Sequence, residues 1–162
     1  AFGSTAASTQ GPNQASIEGV PSPGLDQCIN NVLDTPGSKA KNTETPAPRE
    51  VVRVAKEQGV GVMGIRAVAA GALTAQVDRT VKPDSGEAKD FVRAEPFRRL
   101  ASDMNTSPAA LAHRYALSMP GVDTVVLGVI NREELAECLQ AEALPRFTED
   151  EMKTIEQHAG GS

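Results

Sequence analysis

Residues 124–135 read TVVLGVINREEL, and this stretch decides the fold. The apolar run predicts a buried strand over 122–127, and Gly128 allows the chain to turn sharply after it. Asn131 then caps a helix, and Glu134, three residues later, completes a capping box. Free N–H groups and the positive end of that helix attract an anion such as a nucleotide phosphate. An ordinary strand-to-helix turn without a ligand is the alternative.

Upstream of this stretch, strand-like and helix-like segments alternate. The apolar run 60–65 is bounded by glycine and predicts another strand buried on both faces. Helical spacing predicts helices over 49–58, 97–104 and 107–119. Such alternation is typical of parallel strands joined by helical crossovers, so the sequence predicts an α/β fold. One architecture is a partial barrel, because four strands cannot close a (β/α)8 barrel, which needs about 250 residues. A small open α/β sheet is the other.

The whole chain, 1–162, fits one domain. Residues 1–33 are interpreted as degenerate β/α units, with strands at 1–5 and around Cys28. Residues 34–48 are rich in Pro, Gly and polar side chains and are interpreted as a loop, and 49–159 hold the C-terminal β/α units. The polar stretch 75–92 is predicted to be a long loop, either a lid or disordered.

Helical spacing also predicts which side chains are buried. The helix over 107–119 has a predicted buried stripe made of Leu111, Ala112, Tyr115, Ala116 and Met119. His113 lies about 200° around this helix from Leu111, so it is predicted to be exposed. In the helix after Asn131, the residues predicted to face inward are Leu135, Cys138 and Leu139. Thr148 and Glu151 predict a capping box that opens a final helix.

Composition excludes several classes of protein. The net charge is −5, the pI is about 5.1 and the basic residues are scattered, which argues against a nucleic-acid-binding surface. The pair Arg98 and Arg99 is interpreted as part of a solvated helix face. No apolar window is long enough to span a membrane. The two cysteines have no metal-ligand spacing, which favours free thiols in a reducing compartment, and we expect a cytoplasmic protein.

Three segments resemble the C-terminal half of the aldo-keto reductase family. Residues 55–66, AKEQGVGVMGIR, with AGALT at 70–74, are similar to its helix–strand–loop pattern containing AKEKGIGV. Residues 107–117, SPAALAHRYAL, resemble SPAQLALRWAL. Residues 121–139, GVDTVVLGVINREELAECL, resemble GVSTVIPGARNPEQLEENL. The order and spacing of the segments also agree with the family, over about two thirds of the chain.

This resemblance implies a TIM-type barrel that uses NADPH or NADH to reduce a small-molecule carbonyl substrate. In the family a tyrosine, assisted by aspartate, lysine and histidine, protonates the carbonyl oxygen, and all four come from the N-terminal half. No stretch of this chain matches their motifs, so we predict no catalytic residue here. Tyr115 aligns with a core aromatic and is interpreted as a packing residue. The residues that the resemblance assigns to cofactor binding are Arg66, Gly71, Leu73, Gly128, Asn131, Arg132 and Glu137.

Several of these assignments also have a physical basis. The loop that contains Gly71 and Leu73 can offer backbone N–H groups to a pyrophosphate. Arg66 ends a predicted strand, where sites of TIM barrels form, although a surface salt bridge is the alternative. Near the start of the last β/α helix, Arg132 is the nearest cation to a 2′-phosphate, and Glu134 stands where the family has Arg or Gln. We therefore expect binding that is weak or tolerant of NADH.

Two other functions remain open at this stage. A half barrel without enzymatic activity would bind a partner chain, or a second copy, through its open face. A nucleotide-binding module without redox chemistry is the third hypothesis.

Overall fold

A computed structural model of the chain describes residues 31–33, 48–77 and 79–159. The expectations for residues 1–30 and 34–47, which include strands at 1–5 and around Cys28, lie outside these residues.

Six α-helices and one short 3-10 turn, Ala69–Gly71, lie within the described part of the chain. The α-helices are α1 Pro48–Glu57, α2 Gly86–Arg93, α3 Glu95–Asp103, α4 Pro108–Ser118, α5 Arg132–Ala143 and α6 Glu149–His158. Local side-chain hydrogen bonds fix several of their starts. Ser107 Oγ accepts the N–H of Ala110 at 3.1 Å, and Thr148 and Glu151 exchange both bonds of a capping box. The helices predicted from residues 107 and 148 are therefore confirmed.

Two short strands, β1 Met63–Gly64 and β2 Thr124–Val125, pair in parallel, with Met63 opposite Thr124. The parallel pairing confirms the prediction, but both strands are shorter than the apolar runs 60–65 and 122–127. One reason is that the Asp123 carboxylate accepts the N–H of Val62 at 2.8 Å, so a side chain takes the position of a strand partner there.

The core lies mostly between helices. Its main buried cluster includes Phe97, Leu111, Tyr115, Met152 and Ile155. A smaller cluster joins Val62 to Val52 and Ala55 of α1. Val62 and Gly64 therefore face the helix layer, and Met63 points to the opposite side of the sheet, where it is 46% exposed.

The prediction of a loop throughout 75–92 is wrong at its C-terminal end, where α2 forms. Ser85 caps this helix, since its Oγ accepts the N–H of Ala88 at 3.2 Å. The polar composition of the segment concealed a short helix that begins at a local cap and packs against α3.

Three burial predictions are also wrong. His113 is buried rather than exposed, because α4 packs against both α3 and α5 and so has few solvent-facing positions. Leu135 and Leu139 are exposed rather than inward-facing. In α5 the buried positions are Cys138 and Ala141, on the face toward α4. The predicted stripe from Leu111 to Met119 on α4 is buried as expected.

Candidate functional site

The start of α5 is built as the sequence predicts, with one displaced bond. Asn131 is in an extended conformation, and its Oδ1 accepts the N–H of Glu134 at 2.8 Å. The Glu134 carboxylate accepts the N–H of Ile130 at 2.9 Å, one residue before the position that a closed capping box would use. Within the described residues, the N–H groups of Arg132 and Glu133 have no protein partner. These two N–H groups are therefore available to an anion.

Charged side chains around this helix start act in opposite directions. Arg132 is exposed and carries the only positive charge in the first turn of α5, whereas Glu133 and Glu134 are acidic. The helix end and Arg132 attract a phosphate, and the two carboxylates repel a second charged group nearby. The residues present fit one phosphate contact, without the basic cluster that a 2′-phosphate would favour.

Gly128 is not required by the backbone. Its φ is outside the left-handed region, and a Cβ added to it would have no neighbour within 4 Å. Gly128 is therefore compatible with this turn but not required for it, because the chain leaves β2 without a conformation that excludes other residues.

Glu137 contacts the start of α4 rather than the start of its own helix. Ser107 Oγ donates a hydrogen bond to Glu137 Oε2 at 2.8 Å while it caps α4. Glu137 and Arg132 lie about 140° apart around α5, so these two predicted cofactor residues do not share one face of the helix.

The loop from Arg66 to Leu73 has an unusual backbone. Four of its residues have positive φ, namely Arg66 (60°), Ala69 (48°), Ala70 (54°) and Gly71 (92°). Left-handed conformations at residues other than glycine cost about 1–2 kcal/mol each and concentrate at functional sites. Only Gly71, which has no Cβ, adopts this backbone without steric strain.

The N–H groups of this loop already have partners. Gly71 and Leu73 donate to the carbonyl of Val68 at 3.0 and 3.2 Å, and Ala72 donates to that of Ala69 at 3.1 Å. Leu73 is fully buried in the main core cluster. The loop would offer these N–H groups to a pyrophosphate only if its turns opened.

Two arginines outside the predicted set of site residues bind the backbone of this loop. Arg79 donates to the carbonyl of Ala70 at 2.9 Å, and Arg98 donates to that of Ala72 at 2.9 Å. The Arg98 guanidinium also lies 3.9 Å from the ring centre of Phe91. The expectation of a solvated basic pair therefore holds for exposed Arg99 and is wrong for Arg98.

Arg66 is fixed through its backbone by a buried asparagine. Asn31 is fully buried, and its Nδ2 donates to the carbonyl of Arg66 at 3.1 Å. Asn31 Oδ1 accepts the N–H of Leu33 at 3.0 Å. The Arg66 side chain is exposed, and no carboxylate in the described part of the chain forms an ion pair with it.

Tyr115 is a packing residue, as predicted. It is fully buried and donates to Glu156 Oε1 at 2.7 Å, which also accepts from Arg49 Nη2 at 2.6 Å. Burial and the neighbouring carboxylate raise the pKa of its hydroxyl well above the usual range. The only tyrosine in the sequence therefore cannot reach a substrate.

Other kinds of site find no support in the part of the chain that the structure covers. No group of three or more His, Cys, Asp or Glu side chains is arranged to hold a metal ion there. None of the helices there has the length and apolar character needed to cross a bilayer.

Comparison with known proteins adds the family context. The family model described as the aldo/keto reductase family matches residues 39–159. Among solved structures, the glycerol dehydrogenase AKR11B4 from Gluconobacter oxydans is similar, with a TM-score of 0.53 and 18% sequence identity. The match covers 70% of this chain and 39% of that protein. Among curated proteins, no sequence matches. The structural likeness shows the fold and confirms the expectation of a partial α/β barrel.

Proposed function

Because this chain belongs to the aldo/keto reductase family, we propose that it supplies the NAD(P)H-binding part of an oxidoreductase that reduces carbonyl compounds. The match covers only 39% of the similar glycerol dehydrogenase. That this chain takes part in the activity of a whole enzyme is therefore also a proposal. The free thiol of Cys138 is consistent with a reducing compartment, and we also propose that the protein is cytoplasmic.

The start of α5 is the observation that carries this proposal. Two N–H groups, of Arg132 and Glu133, lack protein partners within the described residues and lie at the positive end of a helix. The Arg132 side chain adds a cation beside them. A dinucleotide phosphate is an anion that suits such a helix end. Arg66, whose exposed side chain follows β1, would contribute from the strand end, and Glu137 would contribute only if it left its bond to Ser107.

Carbonyl reduction needs a hydride from the cofactor and a proton from the protein. Bound NAD(P)H would supply the hydride. Protonation of the carbonyl oxygen needs an acid that touches the substrate, and buried Tyr115 does not provide one. Carbonyl reduction therefore requires the N-terminal half of the barrel, which carries the tyrosine motif in the family.

A titration of the chain with NADH and with NADPH tests the cofactor part. With one cation and two carboxylates at the helix start, we expect weak binding, with dissociation constants for the two cofactors within about tenfold of each other. Arg132→Ala should weaken both. Arg99→Ala is the matched control, because Arg99 is an exposed arginine on α3 that pairs with Glu95. Tight NADPH binding with negligible NADH binding would refute the expected tolerance.

An activity assay tests whether this chain lacks the proton donor for carbonyl reduction. The chain incubated alone with NADPH and a reactive aldehyde should show no turnover above the uncatalysed rate. Turnover by this chain alone would show that an acid in it reaches the substrate, and the argument from Tyr115 would be wrong.

A binding module without catalysis is the second candidate, and one observation favours it. Met63 and Val126 lie on the same face of the sheet, opposite the helix layer, and are 46% and 48% exposed. Exposed apolar side chains on the inner face of a partial barrel suit a partner that completes the barrel. A fluorescent apolar dye that fails to bind the isolated chain would count against this candidate.

A further inference from the structure

The side chain of Arg98 joins three separate elements beside the loop from Arg66 to Leu73. Its Nη1 donates to the carbonyl of Ala72 in the loop at 2.9 Å, and its Nη2 donates to the carbonyl of Phe91 at 2.7 Å. The same guanidinium lies 3.9 Å from the centre of the Phe91 ring. Arg98 belongs to α3 and Phe91 to the last turn of α2, so one planar group links the loop, α2 and α3.

The bond from Arg98 completes a loop that is closed on itself. Every carbonyl oxygen from Val68 to Ala72 accepts a hydrogen bond. The N–H groups of Gly71, Ala72 and Leu73 donate to carbonyls within the loop. The groups that would bind a pyrophosphate are therefore occupied in this conformation.

The closed conformation of the loop carries backbone strain. Arg66, Ala69 and Ala70 have positive φ although each of them has a Cβ. An open conformation would release this strain, so interactions from outside the loop are needed to favour the closed one. Arg98 supplies a charge-assisted hydrogen bond in a partly buried position, where such a bond is strong.

The helix that anchors Arg98 is itself held weakly. None of the 8 residues of α2 is buried. Glu87, one turn before Phe91 on the same helix face, pairs with Arg79 at 3.1 Å, and Arg79 donates to the carbonyl of Ala70. The side chains of Arg79 and Glu87 are 43% and 50% exposed, so water screens this second link. We therefore expect α2 to detach locally before the core unfolds.

We infer that Arg98 and Phe91 form a latch that keeps the loop from Arg66 to Leu73 closed and so blocks an anion site in its backbone. The ligand of that site is an anion with two adjacent phosphates. It binds when the latch opens and the N–H groups of Gly71 and Leu73 turn outward. The identity of the ligand rests on the proposed function, whereas the latch is a property of the loop itself. Arg98 is a positioning residue, because it acts through the loop backbone.

Amide hydrogen exchange on the full chain, followed by NMR at single residues, tests the latch without a ligand. Arg98→Met keeps the apolar stem and removes both hydrogen bonds, so the amides of Gly71 and Leu73 should exchange at least about tenfold faster. Arg99→Met is the matched control, because Arg99 is exposed and pairs with Glu95. It should leave exchange in the loop unchanged. Unchanged loop exchange in Arg98→Met, or an equal acceleration at core amides of α4, would overturn the inference.

Calorimetric titration with inorganic pyrophosphate tests the ligand. Removal of a positive charge by itself weakens the binding of an anion. The latch predicts the opposite, so Arg98→Met should bind pyrophosphate at least about tenfold more tightly than the unmodified chain. Arg98→Lys keeps the charge but lacks the planar fork that holds both carbonyls, and it should also bind more tightly. Arg99→Met removes the same charge and should bind no more tightly than the unmodified chain. Equal or weaker affinity in Arg98→Met contradicts the latch.

A double variant separates the latch from the proposed function. The proposed phosphate contact at α5 depends on Arg132, whereas pyrophosphate in the loop does not. The tighter pyrophosphate binding of Arg98→Met should therefore persist when Arg132→Ala is added. A gain that disappears in the double variant would place the anion at α5 and refute the loop site. If Arg132→Ala leaves NADH binding unchanged, the proposed function is wrong at α5, and the pyrophosphate titration still decides whether the latch exists.

Discussion

Gly121 is the position where one added methyl group should destabilise the fold most clearly. It follows α4 and has φ of +85°, and it lies against α1. A Cβ at this position would lie 2.6 Å from Val52 Cγ1 and 3.1 Å from Lys56 Cγ. Val52 belongs to the small buried cluster beside β1, and its branched side chain has one strongly preferred rotamer in a helix.

Two effects add in Gly121→Ala. The left-handed backbone costs an alanine about 1–2 kcal/mol, partly offset because alanine loses less entropy than glycine on folding. The overlap with Val52 adds about 1–3 kcal/mol of overpacking, since Val52 cannot rotate away. The expected loss in the free energy of unfolding is about 3 kcal/mol.

Urea denaturation followed by circular dichroism measures this loss, and Gly59→Ala is the matched control. Gly59 also has positive φ, +67°, but a Cβ there would have no neighbour within 4 Å. The Gly59→Ala variant should lose only about 1 kcal/mol of the free energy of unfolding, because only the left-handed backbone is strained. Adding Val52→Ala to Gly121→Ala should cost less than the sum of the two single changes, because the overlap is removed. Equal losses for Gly121→Ala and Gly59→Ala would refute the steric argument.

Two further predictions concern buried side chains of α4. Burial lowers the pKa of His113, while nearby Glu137 opposes the shift, and Nδ1 of His113 has no hydrogen-bond partner. As the pH falls, the His113 imidazole is therefore protonated in the unfolded chain at a higher pH than in the folded chain. The free energy of unfolding should then fall as the pH drops below about 6.5. Urea titrations at several pH values should show a smaller fall for His113→Leu, and an unchanged fall would contradict the assignment. Tyr115→Phe removes the bond to Glu156 and should cost about 1–2 kcal/mol without changing NADH affinity. A loss of NADH affinity would show that Tyr115 does more than pack.

The start of the candidate site could be predicted from the sequence because the interactions that form it are local. The Asn131 cap joins residues three positions apart, so its residue types are sufficient to predict it. The caps at Ser107 and Thr148 follow the same rule. The alternation of apolar runs and helical spacing likewise predicted the parallel pairing of β1 and β2.

The rest of the site depends on contacts between distant segments. The bond from Asn31 to the Arg66 carbonyl spans 35 residues, and that from Ser107 to Glu137 spans 30. Neither pair has a spacing that a sequence pattern could reveal. The positive φ angles of Ala69 and Ala70 were equally hidden, because alanine gives no signal for a left-handed backbone.

The sequence by itself determined where α4, α5 and α6 begin, which two segments pair as parallel strands, and that its single tyrosine packs in the core. Only the tertiary structure decided which face of each helix is buried. His113 became buried because α4 has neighbours on two sides, and Leu139 became exposed because α5 packs through Cys138 and Ala141 instead. Helical spacing gives the relative direction of side chains around one axis, but the direction of the core is set by the helices that pack against it.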